Sequence, residues 1–315
     1  MLTVDYSIVI PVYFNQDSLL YTMEQIQTQV FEQFLDKKGE VVFVDDGSED
    51  ESYNVLVNIK RKYKNVRIIK LSRNFGQVNA IWCGLQHVQG PAIVISADGQ
   101  DPCSLIVEML HQYFDNNIEI VIAVRQSRED SKWRKITSNL VYKGIQFLSN
   151  KSMPSGGFDF FLLGNKARES LLKHWQPNTF LQVRILDLGF SRIFIPYHRG
   201  SRKEGFSRWT FAKKITYMID GILGHSYLPI RVMSVLGGVF SAVSFFLGVI
   251  FLISYFFNEN IIRGWTPIIL LILFIGGIQM LMLGILGEYL WRVLIQVRRG
   301  EPYLIDIDDE TITMH

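Results

Sequence analysis

The sequence predicts an α/β fold with a mostly parallel sheet, helices on both faces of the sheet, and two transmembrane helices near the C-terminus. Over the first 125 residues, short apolar runs rich in β-branched residues alternate with segments of helical periodicity. This alternation is typical of parallel strands joined by right-handed crossovers. Stretches 232–257 and 265–286 are almost wholly apolar and uncharged, and each exceeds the roughly 20 residues that a spanning helix needs.

Composition narrows the function classes. The 315 residues are 48% hydrophobic and carry a net charge of +2, which favours a membrane-associated protein and excludes an electrostatic nucleic-acid footprint. Cys83 and Cys103 have no paired or metal-ligand spacing, so we expect both to be reduced and packed in helices. Residues 1–6 do not form a basic stretch before an apolar core, which predicts no signal peptide and a cytoplasmic N-terminal part.

Six short runs are predicted strands, and helical patterns follow the first four. The strands are 6–14, 41–44, 66–71, the run that begins at Ala92, 118–124 and 190–197. The helices are 19–30, 51–63, 77–85 and 105–114. In such a sheet, residues that follow the strands lie along one edge, where ligands bind.

Polar residues follow four of these strands. They are Asn15, the pair Asp45 and Asp46, the pair Arg73 and Asn74, and the cluster Asp98, Gln100 and Asp101. Carboxylates and amides suit a nucleobase and ribose, and an arginine suits a phosphate. The last cluster has two interpretations, a divalent-cation site on a turn that Gly99 bends, or an ordinary turn that caps the helix beginning near Ser104.

Four short motifs carry these residues. They are S-I-V-I-P-V-Y-F-N at 7–15, V-D-D-G-S at 44–48, L-S-R-N-F-G-Q at 71–77 and A-D-G-Q-D-P at 97–102. In this order they resemble the motifs of glycosyltransferase family 2. The nearest branch is the polyisoprenyl-phosphate glycosyltransferases, such as dolichol-phosphate mannose synthases and bacterial undecaprenyl-phosphate glucosyltransferases.

The resemblance implies a nucleotide-diphospho-sugar transferase fold and a UDP-, GDP- or dTDP-sugar donor. It places Pro11, Tyr13, Asn15 and Asp46 around the base and ribose. It assigns Asp98 and Gln100 to a Mg2+ or Mn2+ ion on the diphosphate. The other residues expected to bind the donor are Asp45, Arg73, Asn74, Gln77 and Ser207.

Two positions depart from the family pattern. Ser96 stands where the Asp-x-Asp motif usually begins, which predicts weaker metal binding or a different ligand set. Phe161, in G-F-D-F-F-L at 157–162, stands where the family usually has an arginine. Either a phosphate contact is lost, or Arg125 or Arg199 supplies it.

Two basic segments have two interpretations each. Residues 131–150 have the pattern of a basic amphipathic helix, which suits either the anionic membrane surface or packing on the sheet. Residues 199–214 carry six bases against one acid, which fits either a solvated face or a phosphate site. The phosphate site is favoured because R-x-x-G-x-S-R-W at 202–209 resembles a loop of the same branch.

The chain is predicted to have four parts. Residues 1–205 form a cytoplasmic glycosyltransferase domain, 206–230 an amphipathic juxtamembrane connector, 231–291 the transmembrane helices and 292–315 a cytoplasmic tail. Basic residues flank the pair of helices on both sides, so the positive-inside rule keeps both termini in the cytoplasm. We therefore expect a multi-pass protein of the inner membrane, and the resemblance suggests a homo-oligomer.

The resemblance also implies a reaction, transfer of the sugar to a polyprenyl phosphate with inversion. A phosphate acceptor is largely dianionic at neutral pH and needs no strong base, so positioning and charge neutralisation dominate. We expect Asp98, Arg202 and Arg208 to position the departing diphosphate and help neutralise its charge. We expect Asp101 and Asp159 to orient the acceptor or the sugar. The alternatives are transfer to a lipid-linked saccharide and a weakly active scaffold that binds nucleotide-sugar.

Overall fold

The computed structural model describes residues 4–125, 153–154, 157–173, 181–200, 265–297 and 302–309, with six isolated positions between 235 and 249. The chain divides into two compact units. The first consists of Met1–Met218 together with Gly300–His315, and the second consists of Ile219–Arg299.

Within the described part of the chain, the first unit contains one mixed sheet of eight strands. They are β1 (Tyr6–Val12), β2 (Gly39–Asp45), β3 (Val66–Leu71), β4 (Ala92–Val94), β5 (Ile120–Arg125), β6 (Phe161–Leu163), β7 (Arg192–Tyr197) and β8 (Ile305–Asp308). In space their order is β7-β5-β6-β4-β1-β2-β3-β8. All neighbouring pairs are parallel except those of β6 and β8. The predicted α/β fold is confirmed, with a mixed sheet in which the parallel pairs outnumber the antiparallel ones.

Helices cover both faces of this sheet. They are α1 (Leu19–Ile26), continued by a π-helical turn (Gln27–Phe31), α2 (Ser52–Lys62), α3 (Gln77–Gln86), α4 (Ser104–Phe114), α5 (Asn165–Lys173) and α6 (Leu181–Asp187). Ile8 and Ile10 of β1 pack in the apolar layer of α1, α2 and α4, and Val9 packs in the layer of α3, α5 and α6. Because side chains alternate across a strand, a continuous apolar run is buried on both faces.

Strands β6 and β8 were not predicted. Phe161 begins β6 and is 1% exposed, so the residue at the family's arginine position is a core residue that packs edge-on against Phe158. Residues 305–308 lie in the predicted tail and form β8, an edge strand antiparallel to β3. Part of the predicted tail therefore belongs to the sheet.

The second unit contains a long helix, α7 (Trp265–Val297), which includes the predicted stretch 265–286. Over the residues that the structure describes, no helix combines the length and the apolarity needed to cross a membrane. Most of stretch 232–257 lies outside the described residues. The pair of transmembrane helices therefore stays a prediction.

Candidate active site

The predicted polar loops lie side by side. They follow the carboxyl ends of β4, β1, β2 and β3, which are neighbours in that order and parallel. The chain proceeds from β1 outward to β3 and then returns to β4 on the other side of β1. Ligands of open α/β sheets bind at such a reversal of strand order, so the crevice between β1 and β4 is the candidate site.

The loop after β1 is fixed to the loop after β2 through its backbone. The amide of Phe14 donates to Ser48 Oγ at 3.1 Å, and the amide of Asn15 donates to Ser52 Oγ at 2.9 Å. The Asn15 side chain in turn accepts from the Tyr13 amide at 3.0 Å. Tyr13 is exposed, so the loop presents an aromatic ring to solvent on a fixed backbone.

Asp46 joins the loop after β2 to the loop after β3. Its two carboxylate oxygens accept from the amides of Phe75 and Gly76, at 2.7 and 2.9 Å. Burial raises the pKa of Asp46 to about 6, although both hydrogen bonds favour the charged form. Asp46 is only 3% exposed and holds the loop after β3 through these amides, and its contact with the base and ribose stays a prediction.

Asp45 and Gly47 make the same junction tight. Asp45 is fully buried, and its Oδ1 accepts from the Ser48 amide at 3.1 Å. Its Oδ2 has no hydrogen-bond partner among the described residues, and burial raises its pKa. Gly47 has a φ of +66°, and a Cβ there would lie 2.4 Å from the carbonyl carbon of Arg73. The Asp45 side chain predicted to bind donor therefore lies beneath the loop surface.

The remaining donor residues predicted near this junction differ in exposure. Arg73, Asn74 and Gln77 are exposed, and Pro11 is partly exposed. The Arg73 guanidinium lies over the Phe75 ring, 4.9 Å from its centroid. These exposed groups can contact a ligand, whereas Asp45 and Asp46 are buried.

The turn after β4 is held from below by α1. The carbonyl of Ala97 accepts from Ser18 Oγ at 2.7 Å and from Thr22 Oγ1 at 3.3 Å. Asp98 Oδ1 accepts from the amide of Gln100 at 3.2 Å, which is a local Asx-type turn. The backbone of the turn after β4 is thus fixed before any ligand binds.

The structure tests the alternative that this turn caps α4. The residue before the helix is Cys103, and it makes no side-chain capping bond. The first helical amide, that of Ser104, donates instead to Gln29 Oε1 at 3.0 Å. Capping therefore does not account for the acidic residues of the turn.

Arg199, two residues beyond β7, bridges the acidic residues of that turn. Its Nη2 lies 3.2 and 3.4 Å from the two carboxylate oxygens of Asp98. Its Nε lies 3.0 Å from Asp101 Oδ1, an ion-pair distance without an aligned hydrogen bond. Burial raises the pKa of Asp101, and the charge of Arg199 opposes that effect. The sequence predicts Arg199 as a substitute phosphate contact and as part of the basic segment 199–214, and it does not predict the pairing with Asp98.

The network extends to the predicted residue Asp159. Tyr197 donates to Asp101 Oδ1 at 2.7 Å and accepts from Arg125 Nε at 3.2 Å. Arg125 Nη2 then donates to Asp159 Oδ2 at 2.9 Å, and Gln182 donates to Asp159 Oδ1 at 3.4 Å. Asp159 is therefore linked to Asp101 of the turn after β4 through two side chains, Arg125 and Tyr197. Sequence reasoning missed Tyr197, although it ends a predicted strand and so faces the same edge.

Some predicted features lie outside the described residues. They are Arg202, Ser207, Arg208 and the basic segment 131–150.

The residues present fit a cation only together with a substrate. Among the described residues, no group of three or more His, Cys, Asp or Glu side chains is placed to hold a metal. Asp98 offers one carboxylate and Gln100 one amide, and Ser96 Oγ lies 3.4 Å from the Asp98 amide. Mg2+ is often held by one or two carboxylates plus substrate phosphates, so Asp98 and Gln100 would hold it on a bound diphosphate.

Residues 7–172 match the family described as glycosyl transferase family 2. The chain belongs to glycosyltransferase family 2. The matched segment contains β1 to β6 and the four loops of the site, and the predicted family is confirmed.

Relatives of this glycosyltransferase extend over nearly its whole length. An uncharacterized glycosyltransferase of Synechocystis, sll0501, is 30% identical over 96% of this chain and 95% of its own. YkcC of Bacillus subtilis, also an uncharacterized glycosyltransferase, is 32% identical over 96% and 93%. A prophage bactoprenol glucosyl transferase homolog of Escherichia coli is 28% identical over 95% and 97%.

Solved structures support the fold of this glycosyltransferase. The mannosyltransferase PcManGT from Pyrobaculum calidifontis, in complex with GDP-Man and Mn2+, has a TM-score of 0.50 at 15% identity, over 69% of this chain and 62% of its own. Glucosyl-3-phosphoglycerate synthase from Mycobacterium tuberculosis, with Mn2+ and UDP-glucose, has a TM-score of 0.50 at 16% identity, over 70% and 78%. The predicted nucleotide-sugar transferase fold is thus confirmed.

Proposed function

We propose that this glycosyltransferase moves a sugar from a nucleotide-sugar to a polyprenyl phosphate. The observation that carries the proposal is the position of Asp98, which lies at the strand-order reversal with a cationic partner, Arg199. Relatives named as bactoprenol glucosyl transferases match this chain over almost its whole length, and this supports a lipid-phosphate acceptor.

The donor binds across the four loops. The exposed ring of Tyr13 stacks on the base, and Arg73, Asn74 and Gln77 contact the donor from the loop after β3. When bound, Mg2+ or Mn2+ neutralises charge on the leaving diphosphate. Arg199 leaves Asp98 as the donor enters and pairs with a phosphate, since guanidinium binds carboxylates and phosphates alike.

The acceptor phosphate attacks the anomeric carbon in a single displacement with inversion. At neutral pH it is largely dianionic, so no strong base is required of this chain. Asp159, held between Arg125 and Gln182, orients the acceptor or the sugar. Arg202, Ser207 and Arg208 bind the diphosphate or the lipid phosphate.

The membrane arrangement is part of the proposal. Two transmembrane helices within 231–291 hold the enzyme in the inner membrane, the 206–230 connector lies on the membrane surface, and the catalytic domain and both termini are cytoplasmic. The apolar stretches and the basic residues around them support this topology.

A reconstituted assay tests the reaction. The full-length protein in detergent is incubated with undecaprenyl phosphate, a panel of UDP-, GDP- and dTDP-sugars, and Mg2+, Mn2+ or EDTA, and products are identified by mass spectrometry. We expect one added hexose from one donor, formed only with a metal. Asp98→Asn should lose roughly a hundred-fold in rate, whereas Asp36→Ala, at an exposed position outside the site, should be unchanged.

A second candidate is a nucleotide-sugar-binding scaffold with little turnover. Ser96, in place of a carboxylate, and the occupation of Asp98 by Arg199 favour it. Nucleotide binding without product from any donor would support this candidate. Product found only on an added lipid-linked saccharide would identify that lipid as the acceptor instead.

A further inference from the structure

We propose that the C-terminal residues 303–309 position the loop 72–76 for donor binding. This inference rests on the proposed function, since it takes the 72–76 loop as a donor contact. It assigns a task to a segment that follows the second unit in sequence and lies more than 200 residues from the loop.

The first observation is a backbone contact with the loop itself. Strand β8 pairs with β3 up to Leu71, opposite Ile305. Beyond the paired residues, the amide of Ser72 donates to the carbonyl of Leu304 at 2.9 Å. Ser72 is the first residue of the loop, so the C-terminal segment holds the loop where it leaves the sheet.

The second observation is that the loop is held at both ends. Asp46 accepts the amides of Phe75 and Gly76, while Leu304 accepts the amide of Ser72. Between these contacts the loop exposes Arg73 and Asn74, the residues expected to bind the donor. A loop fixed at both ends presents its exposed side chains with less loss of conformational entropy on binding.

The third observation is that the C-terminal segment also contacts α3, the helix that follows the loop. Tyr303 is only 9% exposed, and its hydroxyl hydrogen-bonds to Gln86 Oε1 at the end of α3. Its ring lies 6.3 Å from that of His87. The segment thus contacts both β3 and α3, the two elements that the loop connects.

Charged contacts anchor the strand. Asp308 accepts from Arg67 Nε and Nη2 at 3.1 and 2.8 Å, and Arg67 also donates to the carbonyl of His87 at 2.8 Å. Asp309 pairs with Lys60 of α2 at 2.9 Å. Two-point arginine–carboxylate pairs fix geometry as well as charge, so Asp308 is held opposite Ile69 of β3, ahead of the register shift between Lys70 and Leu71.

The test compares Tyr303→Ala and Asp308→Ala with Glu24→Ala in the full-length protein. The control removes an exposed ion pair with Lys62 on α2 and touches neither β8 nor the loop. Amide hydrogen exchange is measured at Ser72, Phe75 and Gly76, with β1 amides as the internal reference. We expect about five-fold faster exchange or more at the loop amides in the two variants, no change in β1, and no change in the control.

The same variants are titrated with UDP, GDP and dTDP and assayed with the donor. We expect about five-fold weaker nucleotide binding and a matching rise in donor KM, with kcat and acceptor KM unchanged. Asp308→Glu, which keeps the carboxylate, should restore most of the affinity. A loss of folding would instead speed exchange in β1 as well.

Each outcome decides the inference. Unchanged exchange at the loop amides overturns the inference. Faster exchange with unchanged nucleotide affinity also overturns it, because β8 would then only cover the edge of the sheet. If the wild-type protein binds none of UDP, GDP and dTDP, the proposed function fails and the donor role with it. The exchange data would then still report on the loop contact alone.

Discussion

The two halves of the site edge are held together by different chemistry. The loops after β1, β2 and β3 are joined by backbone amides that donate to serine hydroxyls and to one buried carboxylate, Asp46. The turn after β4 is joined to the chain beyond β7 by the ion pairs of Arg199, and to the end of β5 through the Tyr197 hydroxyl and Arg125. The first group of loops, here called the fixed half, is held by backbone contacts. The second, here called the exchangeable half, is held largely by ion pairs whose partners can be exchanged.

This difference separates the loops that position the donor from the side chains that neutralise its phosphates. A contact such as Gly47 against Arg73 involves main chain on both sides, so it cannot rearrange without moving a strand. Arg199 reaches Asp98 and Asp101 through a long side chain and can turn to another anion without moving β7. Donor specificity is therefore expected from the first half and phosphate chemistry from the second.

The largest effect is expected for Gly47→Ala, which would break the fixed half. A Cβ at φ +66° would lie 2.4 Å from a backbone atom, so strain and overlap together should lower the free energy of unfolding by about 4 kcal/mol. Urea denaturation followed by tryptophan fluorescence measures it. Gly189→Ala is the control, because its φ is +76° with nothing within 4 Å of a Cβ, and it should cost about half as much. Equal losses would contradict the close approach of the two loops.

The pH dependence of stability sharpens the role of Asp46. The pKa of Asp46 is about 6 in the folded protein and near 4 in the unfolded chain. Between about pH 4 and pH 6, ionisation of Asp46 therefore opposes folding. The free energy of unfolding should fall by up to about 3 kcal/mol as pH rises from about 4 to 6, and this group should add no slope above that range. Denaturation curves of the wild type and Asp46→Asn across this range measure the contribution. Parallel curves for the two proteins would argue against it.

Arg199→Ala tests the exchangeable half. Without the guanidinium, the Asp98 carboxylate is open to a cation, and we expect roughly ten-fold tighter binding of Mn2+ alone. Mn2+-dependent binding of UDP or GDP should weaken, because the arginine is then missing from the phosphates. Electron paramagnetic resonance of free Mn2+ gives the first quantity, and calorimetry gives the second.

Arg125→Ala is the matched control for that experiment. It removes the same charge from the same network, but Arg125 contacts Asp159 and Tyr197 rather than Asp98. Mn2+ affinity should therefore change little. Equal tightening in both variants would mean that only net charge matters, and that Arg199 has no specific place at Asp98.

The smallest effect on stability is expected for removal of the side-chain hydrogen bonds that hold the turn after β4. Ser18→Ala removes the 2.7 Å bond to the Ala97 carbonyl but leaves the bond from Thr22, so it should cost about 1 kcal/mol. Ser18→Ala with Thr22→Val should cost more than the sum of the single changes, because the carbonyl then loses both side-chain donors. A double-mutant cycle by thermal unfolding measures the excess, and strict additivity would contradict a shared acceptor.

Local signals explain what the sequence could predict. The runs that became β1 and β2 are largely apolar, and β3 is apolar except for Arg67 and Lys70. Polar residues follow each of the three, so both the strands and the edge they define follow from local pattern. The three-residue β6 and four-residue β8 pair antiparallel with strands distant in sequence. No local period specifies such pairing, and Phe161 was consequently interpreted as a lost phosphate contact rather than as a core residue.

The sequence predicts where the site residues lie in the fold, but not which way their side chains point. A strand end shows that Asp45 and Asp46 lie at the edge, but it does not show that both turn inward to backbone amides. Likewise Arg199 and Asp98 are about a hundred residues apart, and only the parallel pairing of β7 with β5 carries the arginine to this edge.

Strand β8 also determines when the sheet can be completed during synthesis. The partners Arg67 and Asp308 are 241 positions apart, which at 5–20 residues per second corresponds to roughly 12 to 48 seconds of translation. Throughout that interval β3 is an open sheet edge, and the whole second unit must be made before it closes. Chains that stop early keep this edge unpaired, which makes them prone to associate with one another through it.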